Sequence, residues 1–210
     1  MARISAHRNF GTAGSRRTKK VGRAVITSLL VLGGLSALTR TAEAGASPPL
    51  LGAVADVSVG TQHACAVTPQ GKLRCWGQNG FTSDANGRLG DGTGTNSSLP
   101  VGVVGVSDAA RVSGAGMSTC AALGTGEVRC WGRNQYGNLG DGTTDDSSMP
   151  VAVANITDAT DVSVGATHAC ALIGDGTVEC WGRNGNGQLG NGTTSNSSMP
   201  VTVSDIAPAH

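Results

Sequence analysis

The amino-acid sequence predicts an all-β fold built from three copies of one four-stranded antiparallel unit. The segment Cys170–Pro200 recurs almost unchanged at Cys120–Pro150 and, with five extra residues, at Cys65–Pro100. Short Val-rich runs alternate with Gly- and Thr-rich clusters, which is typical of short strands joined by tight turns. A repeat of this length indicates a stacked repeat architecture, because each copy is one supersecondary unit that packs on its neighbours.

An export signal precedes the repeats. A basic segment, Arg16–Arg23, is followed by an apolar run of fifteen residues, Ala24–Leu38, and by the small-x-small site Ala42-Glu43-Ala44. This order predicts a signal peptide over residues 1–44, followed by a linker over 45–55. A membrane anchor is the alternative, but a span needs about 20 apolar residues. We expect a secreted, periplasmic or cell-surface product with no membrane span after cleavage.

The charge balance of the mature chain differs from that of the whole sequence. Residues 1–44 hold eight of the fifteen Lys and Arg and one of the fourteen Asp and Glu, which leaves seven basic and thirteen acidic side chains, a net charge of −6. Proteins that bind nucleic acid usually present a basic patch or stripe. We therefore expect no nucleic acid among the partners.

The unit boundaries follow from aligning the first Cys of each copy. Repeat 1 spans residues 56–110, repeat 2 spans 111–160 and repeat 3 spans 161–210. The extra length of repeat 1 falls in one glycine-rich segment, which marks a surface loop, and such loops often carry function. We predict this loop as the binding loop; its residues are Gly80, Phe81, Thr82, Ser83, Asp84, Ala85 and Asn86.

The first hairpin of each unit joins a short Val-containing strand to a strand with the first Cys. The first strand is predicted at Val57–Val59, Val112–Ser113 and Val162–Val164, before Gly60, Gly114 and Gly165. The second strand is predicted at His63–Val67, Ser118–Ala122 and His168–Leu172. The glycine between them permits the tight connection that antiparallel neighbours need.

The second half of each unit contributes the third and fourth strands. A three-residue turn that contains Gly leads to a third strand with the second Cys, predicted at Lys72–Trp76, Glu127–Trp131 and Thr177–Trp181. The fourth strand follows a Pro and is predicted at Val101–Val104, Val151–Val153 and Val201–Val203. The sheet of each unit is then antiparallel throughout.

Strand alternation sorts the side chains of each unit onto two faces. With the three turn residues as the loop, Cys65 lies opposite Cys75, and the same holds in the other units. One face carries these Cys residues, and the other carries Ala residues beside Trp76. Because both faces are largely apolar, each sheet needs cover on both sides. Stacking the units face to face, as in propeller blades, supplies that cover.

The repeat resembles the regulator of chromosome condensation repeat. The motif is carried in unit 3 by Gly165–Leu172 (GATHACAL), by Gly176–Thr193 with its C-W-G-x-N and Q-L-G-x-G-T segments, and by Ser198–Val201 (SMPV). The resemblance covers about residues 56–206 and implies a β-propeller of four-stranded blades. With its paired Cys residues, the chain looks like the exported bacterial members of this family.

Two features depart from the family pattern. Ser118 stands where the other units have His63 and His168, so this His is not required in every blade. Three repeats are also fewer than the roughly 4–8 blades of a closed propeller. The sequence is compatible with a truncated product, an open stack of three, or self-association in which two copies give six blades.

The six Cys residues are predicted to form three disulfides. They form three pairs, each ten residues apart across one hairpin: Cys65–Cys75, Cys120–Cys130 and Cys170–Cys180. In an exported protein, an even number of regularly spaced Cys indicates disulfides. Packed free thiols are the alternative. Zinc is disfavoured because the short ligand spacing of zinc sites is missing.

The repeated His and Trp residues are predicted to have structural roles. His63 and His168 lie on the Cys face, and no nucleophile or acid repeats beside them, so we expect packing between blades rather than catalysis. Trp76, Trp131 and Trp181 alternate with small Ala residues, which favours packing between blades over a ligand-stacking surface.

No motif indicates a metal, a cofactor or catalysis. Asp141, Asp145 and Asp146 suggest a calcium loop, but the ligand order of such loops is missing and Asp-Gly is a strong turn former. Phosphate loops, nucleophile elbows and metalloprotease motifs are absent from the sequence. We therefore expect a protein without enzymatic activity, catalytic residues, metal or cofactor.

The sequence favours an exported protein-binding module or scaffold as the function. The family resemblance implies a second hypothesis, guanine nucleotide exchange on a small nuclear GTPase with chromatin binding, and export counts against it. Inhibition of an extracellular enzyme and adhesion to carbohydrate or cell surfaces are further hypotheses. The partner we expect is a protein, contacted by loops on one rim of a rigid scaffold.

Overall fold

The computed structural model describes residues 53–80 and 87–206. The predicted signal peptide, most of the predicted linker and Phe81–Asn86 lie outside the described residues. The described part contains no helix that could cross a bilayer.

The described residues form twelve strands and no helix. The strands are β1 Asp56–Val59, β2 His63–Val67, β3 Leu73–Gly77, β4 Ser97–Gly102, β5 Ala109–Ala115, β6 Ser118–Leu123, β7 Val128–Gly132, β8 Ser147–Ala152, β9 Ala159–Val164, β10 His168–Ile173, β11 Val178–Gly182 and β12 Ser197–Thr202. They form three four-stranded antiparallel sheets, each with its strands in sequence order. Blade 1 is β1–β4, blade 2 is β5–β8 and blade 3 is β9–β12.

The predicted hairpin register is confirmed. Cys65 is paired with Cys75, and the equivalent pairs stand opposite one another in blades 2 and 3. Trp76 is paired with Ala64, one residue away along the same strands, so it points from the opposite face. We call the two sides of every blade its Cys face and its Trp face.

The fourth strand begins earlier than predicted. It starts at Ser97 in blade 1, three residues before Pro100, and the equivalent strands start at Ser147 and Ser197. The Pro is thus inside the strand rather than in front of it. This position is tolerated because the fourth strand is the edge of its sheet, where an N–H is not needed on the outer side.

The predicted position of Gly114 is wrong by one residue. Gly114 is paired with Thr119, which is the position that Val59 and Val164 occupy in the other blades. Ala115 therefore matches the glycine that follows β1 and β9. Unit 2 has a longer first strand, and this extra pairing shifts the apparent alignment of the glycines.

Two hydrophobic cores lie between the blades, and each joins the Cys face of one blade to the Trp face of the next. The first core contains Cys65, Val67, Leu73, Cys75, Leu89, Val103 and Val106 of repeat 1 with Ala109, Val112, Ala121, Leu123 and Trp131 of blade 2. The second contains Ala115, Cys120, Ala122, Val128, Cys130, Leu139, Val153 and Ile156 of repeat 2 with Ala159, Val162, Val164, Ala169, Ala171 and Trp181 of blade 3.

Two faces remain exposed in the described part of the chain. On the Trp face of blade 1, Val57 and Val59 are 57% and 69% exposed. On the Cys face of blade 3, Leu172 is 42% exposed, whereas its counterparts Val67 and Ala122 are buried. The stack is therefore a partial propeller with one open face of each kind.

Candidate functional site

A buried Asn anchors the rim loop of each blade. Asn134 follows β7 and is fully buried, as are Asn79 and Asn184 at the same position of the other units. Its Oδ1 accepts a hydrogen bond from the N–H of Leu139, at 2.8 Å, and its own N–H donates to Asp146 Oδ1, at 2.7 Å. The loop is thereby fixed to the end of the blade, which makes the rim a rigid surface.

The acidic residues of this loop serve the turn. The Asp141 carboxylate accepts hydrogen bonds from the N–H and the hydroxyl of Thr143, at 3.0 and 2.8 Å. In unit 3 the equivalent acceptor is Asn191, which carries no charge, and it makes the same two bonds to Thr193. No group of three or more His, Cys, Asp or Glu with the geometry of a metal site occurs among the described residues. The hydrogen bonds of Asp141 and Asn191 to the Thr two residues later agree with the turn interpretation of this motif.

A cavity of about 310 Å³ lies where the rim loops of the three blades meet. The loops that follow β1, β5 and β9 contribute one side of it, and the loops that follow β3, β7 and β11 contribute the other. Its lining residues are Thr61, Gln62, Arg88, Gly116, Met117, Arg133, Gln135, Tyr136, Asn138, Ala166, Thr167 and Arg183. We call this cavity the rim pocket.

Three of the residues that line the rim pocket are arginines. Arg88, Arg133 and Arg183 line it, and no Asp or Glu is among the described residues of its wall. These are three of the seven Lys and Arg that follow residue 44, in a segment with a net charge of −6. The positive charge of an acidic domain is thus concentrated at one concave site.

Arg88 contributes to the wall of the rim pocket from a buried position. Its side chain is 1% exposed, and its Nη1 donates a 2.6 Å hydrogen bond to Gln78 Oε1. Burial and the nearby positive charge of Arg133 lower the pKa of Arg88. Its backbone oxygen accepts hydrogen bonds from Trp131 Nε1, at 2.8 Å, and from the Thr119 hydroxyl, at 3.1 Å. Arg88 is therefore held in place by blade 2 as well as by blade 1.

The other two arginines are more exposed than Arg88. Arg183 lies over the ring of Tyr136, 5.2 Å from its centroid. Arg133 donates to the sulfur of Met117, at 3.4 Å, and to Gln135 Oε1. Neither contact involves a carboxylate, so both contacts leave the guanidinium charges unneutralised.

The arrangement is suited to binding an anion. A guanidinium presents a planar fork of donors that matches a carboxylate or a phosphate, and an anion at a buried site is attracted more strongly than one in bulk water. The ring of Tyr136 and the side chain of Met117 add an apolar wall. A ligand with a negative end and an apolar stem would use both features of the pocket.

The structure contains the three predicted disulfides. They join Cys65 to Cys75, Cys120 to Cys130 and Cys170 to Cys180, and no described Cys is free. Each crosses one hairpin between directly opposed residues. The disulfides fix the second and third strands of each blade, which carry the rim loops at their ends.

The predicted packing residues differ in their environments. Trp131 and Trp181 are fully buried between blades, whereas Trp76 is only half-buried because it lies on the open Trp face of blade 1. His63 is buried at the first junction between blades, and its Nε2 lies 2.8 Å from the Thr119 hydroxyl. His168 is half-buried on the open Cys face of blade 3.

The tautomer of His63 follows from its neighbours. The Thr119 hydroxyl donates to the backbone oxygen of Arg88, so His63 Nε2 must be the donor in its bond to Thr119. Its buried Nδ1 has no hydrogen-bond partner. A second proton would therefore be buried unpaired, and burial together with the Arg88 charge lowers the pKa of His63 to about 4.

The predicted binding loop is described only at its first residue. Gly80 is buried at the end of blade 1, and Phe81–Asn86 lie outside the described residues. Arg88, close after that segment, lines the rim pocket. The structure does not test the role of the loop.

The rim pocket could have been anticipated from one signal in the sequence. Arg133 and Arg183 follow the same Trp-Gly pair in repeats 2 and 3, at the position of Gln78 in repeat 1. Equivalent positions of stacked units lie side by side on one rim. Two cations in register therefore predict a local concentration of positive charge.

Sequence comparison matches the chain to models of one repeat. The Regulator of chromosome condensation (RCC1) repeat model matches residues 125–172 and 175–208. A second model of the same repeat matches residues 54–82 and 159–188. Together the matches cover more than half of the chain. No curated protein matches it.

Solved structures with similar folds are larger proteins. Human WBSCR16 is 24% identical with a TM-score of 0.63, over 72% of this chain and 38% of that one. Prp20p from Saccharomyces cerevisiae, described with its binding properties to Gsp1p and histones, is 18% identical with a TM-score of 0.60, over 71% of this chain and 38% of that one. Yeast RCC1 (Prp20) bound to Kap60 gives the same identity and TM-score. The chain spans less than two-fifths of the length of these relatives.

Proposed function

The chain belongs to the regulator of chromosome condensation (RCC1) repeat family, and from this premise we propose that it is an exported, non-enzymatic module that binds a protein partner. The rim pocket is the contact site, and it receives an acidic side chain of the partner. The observation that carries the proposal is the gathering of Arg88, Arg133 and Arg183 around one cavity of an otherwise acidic domain.

Export is supported by the chemistry of the Cys residues. Three disulfides persist only where the surroundings are oxidising, as outside the cytoplasm. An exported product does not meet a nuclear GTPase, which favours this proposal over nucleotide exchange. Cleavage after Ala44 predicts an exported product whose N-terminus is Gly45. A cytoplasmic product that retains residues 1–44 would contradict this part of the proposal.

A non-enzymatic role is supported by the environments of the reactive side chains. The described Cys residues are all used in disulfides, and His63 is bonded to a hydroxyl that itself donates to a backbone oxygen. In contrast, the rim pocket offers fixed positive charge beside an apolar wall. Such a site fits an acidic residue flanked by apolar groups, which is an anchor typical of protein interfaces.

The pocket is tested by titrating the isotopically labelled protein with short blocked peptides that contain Glu, Gln or Lys at one central position. The Glu peptide should shift the amide signals of Gly116, Met117 and Tyr136, and added salt should weaken the effect. The Arg133→Gln/Arg183→Gln variant should bind at least about tenfold more weakly, since each charged hydrogen bond contributes about 1.5–3 kcal/mol. Gln is a matched replacement because Gln78 occupies this position in blade 1.

The control removes the same charge elsewhere. Arg74 and Arg111 are exposed and lie outside the pocket lining, so Arg74→Gln/Arg111→Gln should bind the Glu peptide as the unmodified protein does. Equal shifts with the Gln or Lys peptide, or equal losses in both double variants, would contradict a specific anion site.

A further inference from the structure

The two junctions between blades differ at four aligned positions, and the differences occur together. At the first junction the Cys face of blade 1 contributes Gly60 and His63, and the Trp face of blade 2 contributes Gly114 and Thr119. At the second junction the equivalent residues are Ala115, Ser118, Val164 and Ala169. We call the first combination the His junction and the second the Ser junction.

The His junction is built around one imidazole ring. A β-carbon on Gly60 would collide with Cε1 of His63, so the ring packs against the glycine of its own blade. On the opposing blade, a β-carbon at Gly114 would be 3.0 Å from His63 Nε2, which is tighter than ordinary van der Waals contact. Thr119 then supplies the hydroxyl for Nε2, at 2.8 Å. Each of the three neighbours suits the ring in size or in hydrogen bonding.

At the Ser junction the Cys face of blade 2 contributes smaller side chains, and the Trp face of blade 3 contributes a larger one. Ser118, which is buried, replaces His63, and Ala115 replaces Gly60 and is part of the second core. The opposing blade contributes Val164, which is 2% exposed, where the His junction has Gly114. Ala169, fully buried, stands in place of Thr119, since no ring nitrogen requires a hydroxyl.

The open Cys face of blade 3 is of the His kind. It carries His168 and Gly165, and a β-carbon on Gly165 would collide with Cε1 of His168, so this ring has the same pose as that of His63. The open Trp face of blade 1 is of the other kind, because it carries Val59 and Ala64. The two open faces of one chain therefore do not match each other.

We propose that the open Cys face of blade 3 is a docking surface for a repeat blade of a partner chain that carries Gly and Thr at the positions of Gly114 and Thr119. The internal junctions support this proposal. The open Cys face of blade 3 presents the same strands, the same disulfide and the same His ring as the Cys face of blade 1, which blade 2 covers. A second copy of this chain docking by blade 1 would bring Val59 against the ring and Ala64 against Nε2. The inference is independent of the rim pocket.

The test uses the chain itself to present both kinds of blade. The matched ligand is the variant Val59→Gly/Ala64→Thr/Leu172→Glu, whose blade 1 carries the Gly and Thr pair. The mismatched ligand is Leu172→Glu alone. The Leu172→Glu change places a charge on the Cys face of blade 3 in each ligand and is intended to prevent docking there. Only the unmodified chain then offers an apolar Cys face. Binding is measured by sedimentation velocity, and circular dichroism establishes that each variant is folded.

The matched ligand should form a 1:1 complex with the unmodified chain at least about tenfold more tightly than the mismatched ligand does. In the reciprocal arm the receptor is Gly165→Ala/His168→Ser, which copies the Ala115 and Ser118 pair of blade 2, and the preference should reverse. Equal binding of the two ligands, including no binding by either, would overturn the proposal. Self-association of the unmodified chain as tight as the matched complex would overturn it in favour of a second copy.

Discussion

The covered and exposed faces of the same repeat show what each blade receives from its neighbour. Trp131 and Trp181 lie on Trp faces that a preceding blade covers, and both are fully buried. Trp76 has the same strand position and the same opposed Ala, yet it is only half-buried. On the other side, Cys65 and Cys120 are 1% and 0% exposed, whereas Cys170 is half-buried.

The burial of a side chain in this protein depends on the junction between blades and not on the single blade that carries it. A four-stranded sheet of this size can pair its backbone by itself but has no interior, so its side chains are covered only by stacking. Equivalent substitutions in different blades should therefore have different effects. Four comparisons of equivalent residues test this, from the largest expected difference to the smallest.

The Trp residues should show the largest difference. Trp181→Ala removes a fully buried ring and its hydrogen bond to the backbone oxygen of Asn138, and should lower the free energy of unfolding by about 3–5 kcal/mol. Trp76→Ala should cost clearly less, because truncating a half-buried side chain removes less packing and leaves a smaller cavity. Urea unfolding of both variants gives the two values. Similar losses would mean that the blades bury their own Trp residues.

The His residues should differ in their effect on the pH dependence of stability. The pKa of His63 is about 4 in the folded chain, against 6.5 for an ordinary His. Between these values the unfolded chain binds a proton that the folded chain does not, so the free energy of unfolding should fall by about 3 kcal/mol as the pH falls from 6.5 to 4. Burial also lowers the pKa of the less buried His168.

Matched variants separate the two His contributions. Gly60→Ala/His63→Ser copies the pair found in blade 2 and should remove most of this loss, while Gly165→Ala/His168→Ser should remove less. Urea unfolding at several pH values between 4 and 7 measures both. If the two variants reduced the pH dependence of the free energy of unfolding equally, the covered junction would not be the cause of that dependence.

The disulfides should differ in their resistance to reduction. All three close loops of the same length, with a sequence separation of 10, so each should stabilise the chain by about 2–3 kcal/mol. Only the Cys170–Cys180 bond lies on an open face, where Cys170 is half-buried, so a thiolate or phosphine reaches this bond without opening a junction. Timed reduction, alkylation and mass spectrometry should find it reduced first. Prior loss of Cys120–Cys130 would contradict this order.

Two equivalent glycines should show the smallest difference. Gly140 and Gly190 have φ angles of +70° and +65°, so Ala is strained at both positions. At Gly140 a β-carbon would also lie 2.8 Å from Nε1 of Trp181 in the next blade, whereas at Gly190 it would meet only Val203 of its own unit. Gly140→Ala should lower the free energy of unfolding by about 1–2 kcal/mol more than Gly190→Ala. Equal thermal shifts would show that the added contact costs nothing.

The local features of the fold could be predicted because each depends on a few neighbouring residues. The turn glycines, the alternation of side chains and the ten-residue Cys spacing together set the register that pairs Cys65 with Cys75. The edge position of the fourth strand could not be predicted in the same way. Pro100 predicts a strand that begins after it, yet the strand starts at Ser97 because an edge strand tolerates Pro.

The sequence by itself determined the repeat, the antiparallel hairpins, the Cys pairing and the two apolar faces of each blade, because strand alternation and turn chemistry act over a few residues. Only the tertiary structure decided which Trp is buried, which His is kept neutral and where Arg88, Arg133 and Arg183 meet. Those outcomes depend on which blade stands against which face. Stacking brings together groups about fifty residues apart, such as His63 and Thr119, at a distance that no local pattern encodes.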